Sequence, residues 1–389
     1  MKNRTLGFAE ATYTPPFEQP LPSNVDVYLQ RAKPWKLGWR RFRRTVYLAL
    51  NGQRSLQRER IEPQHRRILF IHSGMPQVGD ALMDLACRDL FKGSGHEVDL
   101  LINPHLVPLF EHDDVFRRVY GDPAQAARNA YDLAILLTAS SHSLREKLKF
   151  FRRLPFVHQI GFYNGPEFHR TLFGYYRLAQ LLGRSLPPEH VLPQACPHMQ
   201  VDDATRQAVD ALQLPAHYVV LAVGGVRGWR TYDHWPQVVG SLRLPPQTAV
   251  VLVGAANGVQ AAAAVRARAG AVPVIDRVDQ HPLPQVYEIV RRSQAMACAD
   301  GGLLHLANAA RVPTVALFAE RIDPMFRLTP ANRCCAFHAP GEVSDTSPET
   351  VARALERAVA GEVQGVEVHR VPEPALRTRP VNTVDGRLD

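Results

Sequence analysis

The sequence predicts an α/β protein of two doubly wound, Rossmann-like domains facing each other across a cleft. Three observations predict it. Apolar strand runs alternate with helical patterns twice along the chain, which is the signature of parallel sheets covered by helices. A proline-rich interval separates the two alternations. The 389 residues exceed what one hydrophobic core ordinarily serves.

The first alternation begins with the buried-strand run "RILFIH" (67–72) and a helical pattern over "DALMDLACRDLF" (80–91). A strand at 96–102 and a short helix at 104–112 follow. Strands are then expected at 116–120 and 131–137, and a helix at 143–154. Pro187, Pro188, Pro193, Pro197 and Pro215 mark the interval after Leu181 as a linker. The second alternation gives strands at 218–225, 248–254, 271–276, 295–300 and 313–319. Its helices are expected at 234–243, 257–270 and 347–361, with another opening after Asp300. The expected division is an N-terminal extension (1–62), a first domain (63–190), a linker (191–215), a second domain (216–365) and a tail (366–389). Residues 1–25 and the tail are expected to be poorly ordered.

Composition narrows the class. No run of about eighteen apolar residues is present, so no membrane-spanning helix is expected. The N-terminal residues lack the apolar core of a secretory signal. Five cysteines without metal-ligand spacing fit free thiols in a reducing cytosol. The net charge of +9 is concentrated between residues 28 and 67, where Glu59 and Glu62 are the sole acids. There Trp35, Trp39, Phe42, Val46 and Leu50 recur at helical spacing beside Lys36, Arg40, Arg43 and Arg44. Such a helix can lie on an anionic membrane surface, or pack on the protein with its basic face in water. No nucleic-acid recognition motif accompanies the charge, so no nucleic-acid partner is expected.

Ligands of doubly wound sheets bind at the carboxyl ends of the strands. Three such ends stand out. In "HSGMPQVGDALMDLA" (72–86), Asp80 stands at a helix start. Spacing alone favours a helix cap, and a general base is the other reading. In "GGVRGWRTYDHWP" (224–236), glycines free the backbone beside Arg227 and Arg230. That loop suits a phosphate, or is a surface turn with solvated arginines. In "ACADGGLLHLANAA" (297–310), a strand ends on Asp300 and a helix opens on Gly301 and Gly302. The amides of Gly301, Gly302 and Leu303 would face the cleft at the positive end of that helix, where a pyrophosphate can sit. A glycine at 302 can also supply a positive φ. Asp300 alone could be a cap, and His305 alone a structural residue.

Together these segments resemble the ADP-heptose:lipopolysaccharide heptosyltransferase family of GT-B glycosyltransferases, glycosyltransferase family nine. The family's N-D-S-G-P-M-H-L-A signature, followed by P-T-V-A-L-F-G, is similar to "ADGGLLHLANAARVPTVALFA". Its strand–loop–G-D–helix is similar to "ILFIHSGMPQVGDALMDLA", and its K-x-W-P to "YDHWP". The likeness runs over about residues 66–360. It implies inverting, metal-independent transfer from an ADP-sugar, with heptose the favoured sugar and no cofactor. The acceptor would be lipopolysaccharide core or another lipid-linked surface glycan, reached from the cytoplasm or the inner face of the cytoplasmic membrane. Asp80 matches the candidate base and Asp300 the aspartate that contacts the donor sugar. Gly301, Gly302, Leu303 and His305 match the turn that holds the diphosphate. Departures are Gly301 for serine or threonine, Leu303 for proline and Asp233 for the lysine, a role that Arg230 can take. The rival readings are a nucleotide-sugar or glycan-binding protein that has lost catalysis, supported by Asp233, and an epimerase on the same fold.

Overall fold

A computed structural model of the chain describes residues 15–138, 141–161 and 165–373. The expectations for residues 1–14 and 374–389 lie outside the described residues. Helices α1 (Val25–Arg31) and α2 (Pro34–Leu50) precede the first sheet. That sheet comprises β1 (Arg67–His72), β2 (Glu97–Ile102), β3 (Phe116–Tyr120), β4 (Leu133–Thr138) and β5 (Phe156–Gly161). Its order is β3-β2-β1-β4-β5, all parallel. Helix α3 (Val78–Asp84) follows β1, α4 (Pro123–Ala126) follows β3, and α5 (Ser141–Phe150) follows β4. Helix α6 (Arg170–Leu181) follows β5. Short helix α7 (Pro188–Val191) and α8 (Asp203–Asp210) lie in the connection to the second sheet.

The second sheet holds β6 (Tyr218–Ala222), β7 (Ala249–Val253), β8 (Val274–Asp276), β9 (Ala295–Ala299), β10 (Thr314–Phe318), β11 (Cys334–His338) and β12 (Val366–Arg370), in the order β12-β11-β10-β9-β6-β7-β8. Its helices are α9 (Trp235–Ser241), α10 (Val259–Arg268), α11 (Leu283–Arg291), α12 (Gly302–Ala309) and α13 (Pro348–Val359). Both sheets are doubly wound, as the alternation predicts. Their central strands are continuous apolar runs because helices cover both faces: β1 is buried from Ile68 to His72, and β6, β7 and β10 throughout.

Several elements were not expected. Strand β5 carries His158 and Gln159, which break the apolar run, yet both are buried. Residues 366–370, expected to be tail, add a parallel edge strand to β11. Within 1–25, residues from 15 onward are in place: Phe17 packs on Phe173 and Tyr176, and Pro22 accepts the His169 amide at 2.9 Å. All five cysteines are free and buried.

The N-terminal extension is stitched to the first sheet from both ends. Leu48 is buried in the cluster containing Leu69, Ile71 and Phe156, and the Arg58 amide donates to Phe156 at 2.8 Å. Asn24 exchanges two hydrogen bonds with the backbone of Glu167. The connecting segment is fixed as well. Buried Arg88 donates from Nε to Asp113 at 2.7 Å, and from Nη1 and Nη2 to the carbonyls of Leu85 and His198, both at 2.9 Å. Replacing one partner of such a buried pair leaves the other charge stranded. Arg88→Met should therefore cost about 3 kcal/mol or more in urea unfolding. A loss below about 1 kcal/mol would show that this arginine does not fasten the connection.

Candidate active site

Each sheet reverses its strand order beside its first strand, between β1 and β4 and between β6 and β9. The loops at these points open into one cleft of about 1230 Å³, lined by residues of both halves. Every site residue named from the sequence lines it: Asp80, Arg227, Arg230, Asp300, Gly301, Gly302, Leu303 and His305.

Asp80 is the third residue of α3. The residue in the capping position is Gln77, whose side chain makes no capping bond. The Asp80 carboxylate, about a quarter exposed, lies 3.9 Å from Arg170 Nε. No hydrogen bond among the described side chains occupies it. Arg170 is committed one turn further along α3. It donates from Nε to Asp84 Oδ1 at 2.8 Å and from Nη2 to Oδ2, and His72 Nε2 lies 3.1 Å from the same Oδ2. Burial works against charge on Asp84, but Arg170 and His72 overcome it and hold the carboxyl below its ordinary range. Asp84 is thus the anchored acid and Asp80 the available one.

Across the cleft, the Asp300 amide donates to Leu317 at 2.8 Å, extending the sheet by one residue. Its buried carboxylate receives Arg230 Nη2 at 2.6 Å, and Arg230 Nε donates to its carbonyl at 3.1 Å. Arg327 Nε lies 3.8 Å from Oδ1, and Oδ1 has no hydrogen-bond partner. Burial pushes this acid above its ordinary range, while Arg327 and Arg230 oppose the rise. Arg230 is therefore not a solvated surface arginine. Arg227 is exposed on the cleft's rim. Asp233, at the family's lysine position, is exposed and absent from the cleft lining; its amide donates to Ser344 Oγ at 3.1 Å.

The glycines act through space rather than through φ. Gly301 is extended (φ 172°), and Gly302 does not adopt a positive φ, so the expectation of a left-handed residue at 302 is corrected. A Cβ on Gly302 would stand 3.2 Å from Val78 Cβ, and one on Gly79 would stand 2.5 Å from His305 Cδ2. The first turns of α3 and α12 thus meet glycine against side chain, in both directions. His305 is buried, its Nδ1 unpartnered, and burial with Arg327 and Arg230 nearby pushes its pKa down to about 3. It is a neutral imidazole.

Sequence reasoning missed Arg170, Arg327 and Glu167. Arg327 pairs with Glu167, joining the two halves at the cleft's edge. The one available signal was "HR" at the start of α6, and it was hidden because β5 was not recognised. Beside that pair, His169 Nδ1 accepts the Leu172 amide at 3.3 Å, so its Nε2 carries the proton and donates to the Leu328 carbonyl at 3.1 Å. Among the described residues, Cys335, Glu367 and His369 lie close enough to share a metal ion. They stand on β11 and β12, outside the cleft lining, and Glu367 is already paired with Arg357.

Residues 180–336 match the model of glycosyltransferase family 9 (heptosyltransferase). No curated protein matches by sequence. Solved structures share the fold. A family 9 glycosyl transferase from Veillonella parvula DSM 2008 is 14% identical, covering 78% of this chain and 100% of that one, with a TM-score of 0.63. The E. coli ADP-heptose lps heptosyltransferase II is 18% identical, covering 76% and 99%, with a TM-score of 0.60. E. coli heptosyltransferase WaaC with ADP is 18% identical, covering 75% and 99%, with a TM-score of 0.56. The fold is GT-B.

Two expectations follow from this geometry. Gly302→Val should cost about 1–3 kcal/mol of unfolding free energy, because the added methyls push α12 off Val78; Gly302→Ala should cost less. An unchanged urea midpoint in the valine variant would mean that the two helices can separate freely. The second concerns pH. Burial holds His169 down to about 4, so the unfolded chain, with a His pKa of about 6.5, takes up a proton first as pH falls. The contribution of His169 is intact above about 6.5 and drains toward pH 4. Gln at 169 can still donate to Leu328 but cannot protonate, so His169→Gln should flatten the fall in melting temperature across that window. A profile parallel to wild type would assign the acid loss elsewhere.

Proposed function

We propose, for a glycosyltransferase whose residues 180–336 match the family 9 model on a GT-B scaffold, that the cleft transfers heptose from ADP-heptose to lipopolysaccharide core or another lipid-linked surface glycan. Transfer would take place at the inner face of the cytoplasmic membrane and proceed with inversion. One observation carries the reading: the open carboxylate of Asp80 and the amide end of α12 line the same cleft, held together by the Gly79–His305 and Val78–Gly302 contacts.

The acceptor hydroxyl oxygen attacks the anomeric carbon from the Asp80 side, and its proton passes to the Asp80 carboxylate. The bond from the anomeric carbon to the diphosphate breaks, and ADP leaves with its electron pair. A single displacement inverts the anomeric centre. The departing charge meets the unpaired amides at the start of α12, whose dipole is positive there. Arg227 at the rim adds fixed charge, so this chain's own groups stabilise the leaving group without calling on a metal. Arg230 is tied to Asp300. It therefore serves chiefly to aim that acid and, after Arg327, to oppose the effect of burial on it, and Asp300 Oδ1, which lacks a partner, is left to accept a hydroxyl of the donor sugar.

The family lysine's replacement by Asp233 favours a binding protein without turnover only if that position faces the donor. Asp233 does not line the cleft and Arg230 does, which favours the enzyme. The test is ADP release from ADP-heptose with a lipid-linked acceptor. Asp80→Asn should lower kcat by about a hundredfold or more while ADP affinity, measured by calorimetry, stays the same. Normal turnover in Asp80→Asn removes the base assignment. If wild-type protein binds ADP-heptose but never turns it over with such acceptors, the binding-protein reading replaces this one.

A further inference from the structure

The protein body packs on one side of helix α2 and leaves an apolar stripe uncovered on the other. At about 100° per residue, Trp35, Trp39 and Phe42 fall in one sector about 60° wide, while Arg44 and Leu48 lie on the opposite side. Leu48 is buried against the first sheet and Arg44 lines the cleft. Trp35, Trp39 and Phe42 are 67%, 57% and 59% exposed. They gather around Gly38 in a shallow apolar hollow, with the Trp39 and Phe42 rings 5.8 Å apart. Val27 and Leu29 of α1 are exposed as well.

The charge of the helix states what covers this stripe. Pro34–Leu50 contains Lys36, Arg40, Arg41, Arg43 and Arg44 and no acid. Lys36, Arg40 and Arg43 are exposed along one flank of the stripe, and Lys33 and Arg31 precede it. A second copy of the chain would bring the same cations against these. Three aromatic side chains also supply less contact than the roughly 800 Å² per partner of a standard interface. Aromatic residues bordered by cations match the boundary between lipid headgroups and acyl chains.

We propose that α2 is an interfacial anchor: Trp35, Trp39 and Phe42 insert into an anionic bilayer, Lys36, Arg40 and Arg43 meet its phosphates, and the opposite face presents Arg44 to the cleft. The helix then stands as a wall, one helix diameter thick, between membrane and acceptor site. A lipid-linked acceptor reaches Asp80 past Arg44 without leaving the bilayer. That last step rests on the proposed transfer; the anchor rests on α2 alone. The straps Asn24–Glu167 and Leu48–Phe156 fix the helix to the cleft rim, so the anchor sets orientation as well as location.

The test compares full-length wild type with the triple variant Trp35→Ala, Trp39→Ala, Phe42→Ala on phosphatidylglycerol and phosphatidylcholine vesicles. Wild type should bind phosphatidylglycerol at least tenfold more tightly than phosphatidylcholine, with a blue shift of tryptophan emission and weaker binding as salt rises. The triple variant should lose at least tenfold on phosphatidylglycerol and unfold at the same urea midpoint as wild type, which checks that it is folded. Equal vesicle binding by both proteins, or none by wild type, overturns the anchor. So does a wild-type dimer in sedimentation that the triple variant dissociates, because the stripe would then belong to a second copy. Vesicle binding requires neither donor nor turnover. A protein that binds vesicles through the stripe but transfers no sugar therefore sinks the transfer reading and supports the anchor.

Discussion

The centre of this molecule depends on how closely two helix N-termini can approach. Helices α3 and α12 spring from different sheets, and each brings the positive end of its dipole to the same place. Like ends repel, so the approach needs compensation. It comes from shape and from charge. Gly79 receives the His305 ring and Gly302 receives Val78, so the backbones pass at a distance no larger residue permits. Below this contact Ala81, Leu82, Leu304 and Leu306 share one apolar cluster that runs through both halves. The neutrality of His305 matters here, since an imidazolium would add a charge where two helix ends already concentrate one.

Acids supply the rest of the compensation, and they divide into two kinds. Asp84 is buried and held by Arg170 and His72, and Asp300 by Arg230 with Arg327 nearby. Removing the arginine from either pair would leave a buried acid without its partner, which is costly. Each also leaves something over for chemistry. Arg170 bends toward Asp80 without bonding it, and Asp300 keeps one oxygen unpartnered. A doubly wound fold makes such sites at its strand ends because backbone groups there lack partners within the sheet or helix.

Much of this was legible in the sequence, and what was missed has physical reasons. The alternation of apolar runs and helical periods gave both sheets, since parallel strands buried on two faces are continuous in β1, β6, β7 and β10. Strand β5 escaped because His158 and Gln159 look like a loop when burial is unknown, and the edge-side strands β11 and β12 were not expected either. Asp80, Asp300 and the α12 turn were legible because they follow clear strands. Arg170 and Arg327 were not, because their partners lie 86 residues from Arg170 and 160 from Arg327, and no local pattern encodes such a pairing. Of the two properties expected of Gly302, only the positive φ is corrected: sequence cannot separate a demand for positive φ from a demand for room. The aromatic stripe of α2 was visible as periodicity, but which side of the helix meets the body is a tertiary fact carried by Leu48.

The strap between Asn24 and Glu167 has a consequence for the order of folding. The two residues are 143 positions apart, and closing a loop of that length is paid for only once the intervening sheet exists. Leu48 likewise waits for Phe156. During synthesis the chain therefore presents its aromatic, basic helix long before the strands and helices that will orient it have been made. For that interval the N-terminal segment is an unassigned amphipathic peptide, and its earliest available partner is whatever surface lies nearest the ribosome.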